Sequence, residues 1–553
     1  MAIYPDKKGS KKSFIFFFLI IFLIIGSDFV YSISHKRIFE ALSGLIIAGS
    51  LFCVPVFIFR KRLKLYAWLL FPIILFVPVE IACRVFYDIK INDSLVIITI
   101  NSNIQEATEL LKGFAIPFLL LFITVFAIYF YFISKLGNQI SNKHAFLSSV
   151  CSLLLILALP FINGREGKYY KQLKKIYHPY YPTSAIYSMS IVNDKYKIIN
   201  SSIKQRDSFR FNSIQTPLLP AIFKKQIYIL VLGESSRFDH WGINGYFRDN
   251  NPKLIKEKNL ISITNTTTNA YLTEYAVPLI ITGVNPENFD QNYKQKSILS
   301  AFEESGFKTY WVSSQIDDGN IQYHMKEADE RKLLFQNAIN NKNFHRDAEL
   351  LTMLQSVLNE PGDKKFIVFH VQGSHYDYSV RYPNEFDKFK PSNKTISTLS
   401  NDYTNKEIII NSYDNSILYS DYILDSVISM VKSKPALSSV FFIADHGENL
   451  FDDDRNLSQH AEPEPSKYIA HIPFFVWYSD ALQKIVPNKI AGIILNKNRK
   501  TTAQNVFYTY TDICGIKIPG ADSLMSLCNP YFKELPRKIL GGESKIYNSD
   551  SLH

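Results

Sequence analysis

The sequence predicts two folds in one chain: an N-terminal bundle of five membrane-spanning α-helices, followed by a C-terminal α/β/α sandwich. Three observations predict it. Apolar runs crowd the first 162 residues, where charge is sparse. From residue 163 the composition becomes that of a water-soluble protein. In that later part, short apolar β-rich runs alternate with amphipathic helical stretches, and the runs end on polar tips. The expected division is a membrane domain over 1–162, an interfacial bridge over 163–224 and an exported domain over 225–553.

The five apolar runs are Phe14 to Ile33, Ile38 to Phe59, Leu65 to Phe86, Phe114 to Ile133 and Phe146 to Ile162. A bilayer core takes about 20 mostly apolar helical residues, with a range near 17–25, and each run falls in that range, the last only just. Lys7, Lys8, Lys11 and Lys12 precede the first run, as in a signal peptide. No clear cleavage site follows and four more runs do, so it reads as a retained anchor. Lys7 to Lys12, Arg60 to Lys64, and Lys135 with Lys143 fall on one side of alternating spans, the cytoplasmic side by the positive-inside rule. His35, Lys36 and Arg37 are a minor exception in a short outer loop. Residues 163–553 then lie beyond the inner membrane. The net charge of +11 is partly this topological signal; the rest suits an anionic membrane surface or acidic substrates, and no nucleic acid is called for. Glu80 and Arg84, four residues apart in the third run, read as an ion pair.

The bridge contains GKYYKQLKKIYHPYYP. Its lysines and tyrosines suit the headgroup region, where an aromatic body and a cationic tip are both satisfied, though a plain polar linker has the same composition. Cys53, Cys83 and Cys151 lie in or beside the spans; Cys514 and Cys528 form either one disulfide or two free thiols.

The exported part carries KQIYILVLGES, GFKTYWVSSQ, KKFIVFHVQGSH and SSVFFIADHGE, with helical stretches such as EIIINSYDNSILYSDYILDSVISMVKS between them. Strands this continuously apolar are covered on both faces, and in such sheets ligands sit off the carboxyl ends of the strands. Those ends offer Glu234; Ser313, Ser314 and Gln315; His370 and His375; and Asp445 with His446. His460 and His471 follow shortly. Carboxylate oxygen and imidazole nitrogen are zinc donors, and several at successive strand ends point to a metal site where one Asp-His pair would not. Glu448 reads as a hydrogen-bond partner rather than a ligand, His471 as a packing residue, and Asp452, Asp453 and Asp454 as a solvated loop.

Four segments in order, LVLGESSRFDHWGINGYFRDNNPKL, NAYLTEYAVPLIITG, HVQGSHYDYSVRYPNEF and ADHGENL, resemble the motifs of the phosphoethanolamine transferases. These are membrane-anchored, sulfatase-like enzymes of the alkaline phosphatase superfamily, and the likeness runs over nearly the whole chain. It implies a sandwich of sulfatase or alkaline-phosphatase type, with Zn2+ held by Glu234, Thr273, Asp445 and His446, and Thr273 as nucleophile. It implies that His375 and His460 bind a second zinc or the substrate and move protons. It links His370, and Glu106 in NSNIQEATELL, to substrate binding. The implied reaction moves phosphoethanolamine from phosphatidylethanolamine, through a phosphothreonine, to lipopolysaccharide or lipooligosaccharide (core sugar or lipid A) or another envelope glycan, releasing diacylglycerol. The implied setting is the inner membrane of a Gram-negative bacterium, with the catalytic domain periplasmic and the protein a monomer. A threonine hydroxyl is a poor nucleophile at neutral pH, and metal coordination is what stabilises its alkoxide.

The chain departs from the lipid A and mobile colistin resistance members in two ways. Residues 152–513 contain no cysteine, and Tyr376-Asp377 replaces the usual Gly-Pro. Cysteine-poor members that modify core sugars or glucans look closer. Two alternatives stay open: a glycerol-phosphate transferase of the lipoteichoic acid synthase type, and a non-catalytic, membrane-anchored metal- or glycan-binding protein.

Overall fold

Proline decides where the N-terminal apolar sequence stays helical. The computed structural model describes residues 7–34, 36–87, 91–92, 95–96, 99, 115–162, 169–216, 225–315, 320–334, 346–395, 403–460, 464–542 and 545–553. The chain forms two compact units, one within residues 1–194 and one taking in residues 195–553.

The first unit contains α1 (Lys7–Ser34), α2 (Ile38–Cys53), α3 (Leu63–Leu69), α4 (Val77–Tyr87), α5 (Ala115–Lys135), α6 (Asn142–Ile162) and α7 (Tyr169–Tyr177). Among the described residues, α1, α5 and α6 are long and apolar enough to cross a membrane, and the chain is a membrane protein. The second and third expected spans are interrupted. α2 stops at 16 residues, about 24 Å by helical rise, just ahead of Pro55. In the third, Leu63–Leu69 meets Phe71–Val85 at 43° beside Pro72. A proline has no N–H to give the preceding turn and its ring clashes with it. Five continuous spans were expected; the described residues show three, or four if the bent pair is one span.

Glu80 and Arg84 do pair: Arg84 Nε donates to Glu80 Oε1 at 2.5 Å. Arg84 also bridges to Asp28 of α1, and all three side chains are buried. Asp28 Oδ2 accepts from Tyr181 N at 2.9 Å, so one ionic cluster ties α1, α4 and the chain at 181 together.

The bridge contains α7 and the 26-residue α8 (Thr183–Ser208). The boundary between the two units falls inside α8, after Asp194.

The second unit is built on β1 (Gln226–Gly233), β2 (Leu260–Ser262), β3 (Lys308–Ser313), β4 (Glu330–Leu333), β5 (Lys364–His370), β6 (Leu437–Ala444) and β7 (Phe474–Tyr478). Their order is β2–β7–β6–β1–β5–β3–β4. β7 is antiparallel to both neighbours and the other pairings are parallel. Alternation sends Tyr228, Leu230, Leu232, Phe366, Val368, Phe441 and Ile443 to one face, where they pack on α9 (Thr273–Thr282) and residues beyond. Ile229, Val231, Ile367, Phe369, Val440 and Phe442 point the other way, into a layer that includes α10 (Ala348–Asn359) and α11 (Lys406–Lys432). Each such buried side chain contributes about 1.5–3 kcal/mol. The result is an α/β/α sandwich. Cys514 and Cys528 are both buried and both free.

Register then places the polar tips. Leu232 lies opposite His370 on one side and Ile443 on the other, and Gly233 opposite Ala444. The next residues, Glu234, Val371 and Asp445, therefore leave the sheet at one edge.

Candidate metal and nucleophile site

Asp445 is fixed by one oxygen and leaves the other free. Its Oδ1 accepts from Ser235 N at 3.0 Å and from His446 N at 2.7 Å, while its buried Oδ2 has no hydrogen-bond partner among the described residues. Ser235 holds a left-handed backbone (φ 53°), which costs a non-glycine residue energy. It is retained by that bond and by Tyr413 Oη, which donates to Ser235 O at 2.9 Å. His446 Nδ1 donates to Gly447 O at 2.8 Å, so Nε2 carries the lone pair. That Nε2 lies 3.2 Å from Asp445 Oδ2 and 3.5 Å from Glu234 Oε1. Gly447 cannot be replaced cheaply, because a Cβ there would lie 2.2 Å from Tyr468 O.

Thr273 is the first residue of α9. Its Oγ1 lies 3.2 Å from each Glu234 oxygen and 3.3 Å from His446 Nε2. One donor atom from each of Glu234, Asp445 and His446 falls within 4.8 Å of the others. Burial, and then Asp445, push the Glu234 carboxyl well above its ordinary range; burial pushes the His446 imidazole down. Two buried carboxylates, a bare imidazole nitrogen and an unpartnered carboxylate oxygen fit a divalent cation.

A second group adjoins the first: His446, Glu448 and His460 also bring donor atoms within 4.8 Å of one another. Glu448 Oε2 is 3.1 Å from His460 Nδ1, and its Oε1 accepts from Tyr378 Oη at 3.2 Å. Burial alone would lower His460, but the Glu448 carboxylate holds it above its ordinary value. The His375 and His460 rings lie 6.5 Å apart. Burial and Arg381 hold His375 well below its ordinary value.

His370 ends β5 inside the sheet, its ring edge-on to Trp311 at 5.9 Å, both nitrogens buried without a hydrogen-bond partner among the described residues. Burial pushes it to about 4. Glu106 lies outside the described residues. His471 stacks on Phe238 at 4.1 Å and meets Thr264 O through Nε2 at 3.0 Å. Asp452 is no solvated residue: its carboxylate takes two bonds, 2.7 and 2.8 Å, from the buried Arg237 guanidinium. A lone Arg far upstream gave no signal of that pairing.

Two further residues shape the site. Gln315 Nε2 donates to Glu234 Oε2 at 3.3 Å and to Val371 O at 3.1 Å. It stood out only as a polar strand tip. Asp347 accepts from Ser314 Oγ at 2.7 Å, Gln372 N at 2.9 Å and Gly373 N at 3.0 Å, pinning the loop that leads to His375. Nothing in its local sequence marks it.

The sulfatase family model matches residues 226–516, more than half of the chain. That match places the protein in the sulfatase class. The phosphoethanolamine transferase EptC of Escherichia coli (strain K12) is 25% identical over 515 residues, covering 89% of this chain and 87% of that protein. A crystal structure of the C-terminal periplasmic domain of E. coli EptC in complex with zinc superposes with a TM-score of 0.55 at 26% identity, covering 62% of this chain and 96% of that one. The integral membrane lipooligosaccharide phosphoethanolamine transferase A of Neisseria meningitidis shares the fold across 93% of this chain and 97% of its own, with a TM-score of 0.70 at 20% identity. The chain belongs to the sulfatase family, and within it to the phosphoethanolamine transferases.

Proposed function

We propose that this protein moves phosphoethanolamine from phosphatidylethanolamine to a glycolipid or glycan of the bacterial envelope, through a covalent phosphothreonine at residue 273. One observation carries the reading: the Thr273 hydroxyl sits within 3.3 Å of both Glu234 oxygens and His446 Nε2, beside an unpartnered Asp445 oxygen. Glu234, Thr273, Asp445 and His446 would hold zinc, the metal seen in the EptC relative; bound there, zinc would lower the hydroxyl's pKa and offset charge on phosphate oxygens.

In the first half-reaction, Thr273 Oγ1 forms a bond to the donor phosphorus. The bond from phosphorus to the glycerol oxygen breaks, and diacylglycerol leaves with a proton. In the second, an acceptor hydroxyl attacks the same phosphorus, loses its proton, and Thr273 is released. His375 or His460 supplies and removes those protons from the open side of the cluster, with Glu448 orienting His460. Glu106 and His370 complete the substrate-binding set.

The setting follows from the apolar unit. Five passes, the interrupted second and third included, anchor the chain in the inner membrane, and residues from the bridge onward face the periplasm. A membrane anchor in the same chain suits a lipid donor. The division at 162 and 224 stands as our reading of the sequence, and the protein acts as a monomer.

The test is mass spectrometry of envelope glycolipids from cells with and without the protein. The expected result is a gain of one phosphoethanolamine on an identified acceptor, lost in Thr273→Ala. Normal transfer by Thr273→Ala refutes the nucleophile. A glycerol-phosphate adduct instead would favour the lipoteichoic acid synthase type of chemistry.

A further inference from the structure

The helix that carries the nucleophile is held at both ends by one face of α8. Lys195, Ile199, Ile203 and Arg206 recur at spacings of four, four and three, which puts them on one helical stripe. Lys195 Nζ donates to Tyr275 Oη at 2.7 Å and lies 4.9 Å from the Tyr275 ring centroid. Tyr275 is buried and stands two residues after Thr273, in the first turn of α9. At the middle of the stripe, Ile199 and Ile203 line one small cavity with Pro278 of α9.

Arg206 closes the far end. Its buried guanidinium donates to Asn292 O at 3.0 Å and to His324 Nδ1 at 2.7 Å, and it pairs with Glu327. Asn292 Oδ1 in turn accepts from the hydroxyl of Thr282, the last residue of α9. Glu327 is itself anchored by Ser297 N at 2.7 Å and Ser297 Oγ at 2.6 Å. Lys195 thus bonds to the first turn of the ten-residue helix directly, and Arg206 is linked to its last turn through Asn292.

We propose that Lys195 and Arg206 are positioning residues, and that α8 acts as a splint setting where α9 presents the Thr273 oxygen against Glu234. This rests on Thr273 being the nucleophile. Neither cation touches the reacting atoms. Their effect is geometric, and a misplacement of about 1 Å can cost on the order of a hundredfold in rate. A substrate-binding lysine would act on donor affinity; a splint acts on the bound complex.

The experiment uses the full-length protein in detergent micelles with a fluorescent phosphatidylethanolamine, following release of diacylglycerol. Lys195→Met is expected to lower kcat about tenfold or more with KM within about twofold. Its zinc content and melting temperature should match the parent. Lys195→Arg, which keeps a donor, should recover most of the rate. Tyr275→Phe should lose as much as Lys195→Met, and the double variant no more than either. Should Arg206→Met fail to fold, Arg206→Lys supplies the milder reading at the other end. An unchanged kcat in Lys195→Met, a loss confined to KM, or a loss tracking zinc content overturns the proposal. Thr273→Ala separates the two ideas: if it still releases diacylglycerol, the nucleophile assignment falls. If it does not while Lys195→Met is normal, the splint alone falls.

Discussion

Replacing Asp445 by Asn should stabilise the metal-free protein while abolishing its activity. Glu234 and Asp445 bring carboxylate oxygens within 4.8 Å of each other in a buried site. At an effective dielectric constant near 20, two charges at that distance repel by about 3.5 kcal/mol, an upper bound because burial and Asp445 push the Glu234 carboxyl toward its neutral form. Asn keeps the oxygen that accepts from Ser235 N and His446 N, and places an amide where Oδ2 has no hydrogen-bond partner, so little else is lost. In a domain of this size 1 kcal/mol moves the melting temperature by about 2 °C, so Asp445→Asn should melt above the parent, by up to about 7 °C, when both are stripped by chelator. Added zinc should reverse the order, because the parent gains the ion's binding energy and the variant loses a donor. Differential scanning calorimetry in chelator and in zinc measures both. Equal melting of the stripped proteins, or equal stabilisation of both by zinc, would show that these carboxylates do not face a common cation.

Other outcomes follow from groups further out. Asp347→Ala leaves Gly373 N without its acceptor, at about 1–3 kcal/mol, and takes one bond each from Ser314 Oγ and Gln372 N, which still bond each other at 3.1 Å. It should cut turnover about tenfold by loosening the His375 loop while zinc content stays near the parent's, read by metal analysis beside the transfer assay. His324 is pushed to about 4 by burial and Arg206, from an ordinary 6.5. Between those values the unfolded chain binds a proton that the folded one does not, so stability falls as pH falls. The loss is about 2 kcal/mol by pH 5. His324→Gln should flatten the change in melting temperature between pH 7 and pH 5 by about 4 °C, and parallel curves would refute the assignment. Arg84→Ala leaves Asp28 and Glu80 buried without their cation, a loss of about 3–5 kcal/mol. Its yield of folded protein from membranes should drop and return when Asp28→Asn and Glu80→Gln are added; gel filtration shows either result.

Much of the exported domain is legible in the sequence because its signals are local. An apolar run such as ILVLG, followed at once by Glu234, states both a buried strand and a polar tip. Asp445 and His446 are read the same way after VFFIA. What joins these tips is register, a product of how β1 pairs with β5 and β6, and no single stretch encodes it. The membrane part misleads for a related reason. Apolar length is visible residue by residue, but the breaks near Pro55 and Pro72 depend on which backbone groups lose their partners. Asp452 shows the limit most clearly. Among three consecutive acids it looks solvated, and only the buried guanidinium of Arg237, more than 200 positions earlier, makes it structural.

The separation of Glu234, Thr273 and Asp445 along the chain has a temporal consequence. A ribosome must make residues past 446 before β6 can slot beside β1 and finish the donor set. Truncated products ending earlier would possess a threonine and a glutamate but no cage, so they should neither capture ions nor catalyse transfer. Completion of synthesis itself thereby becomes the switch that arms the enzyme.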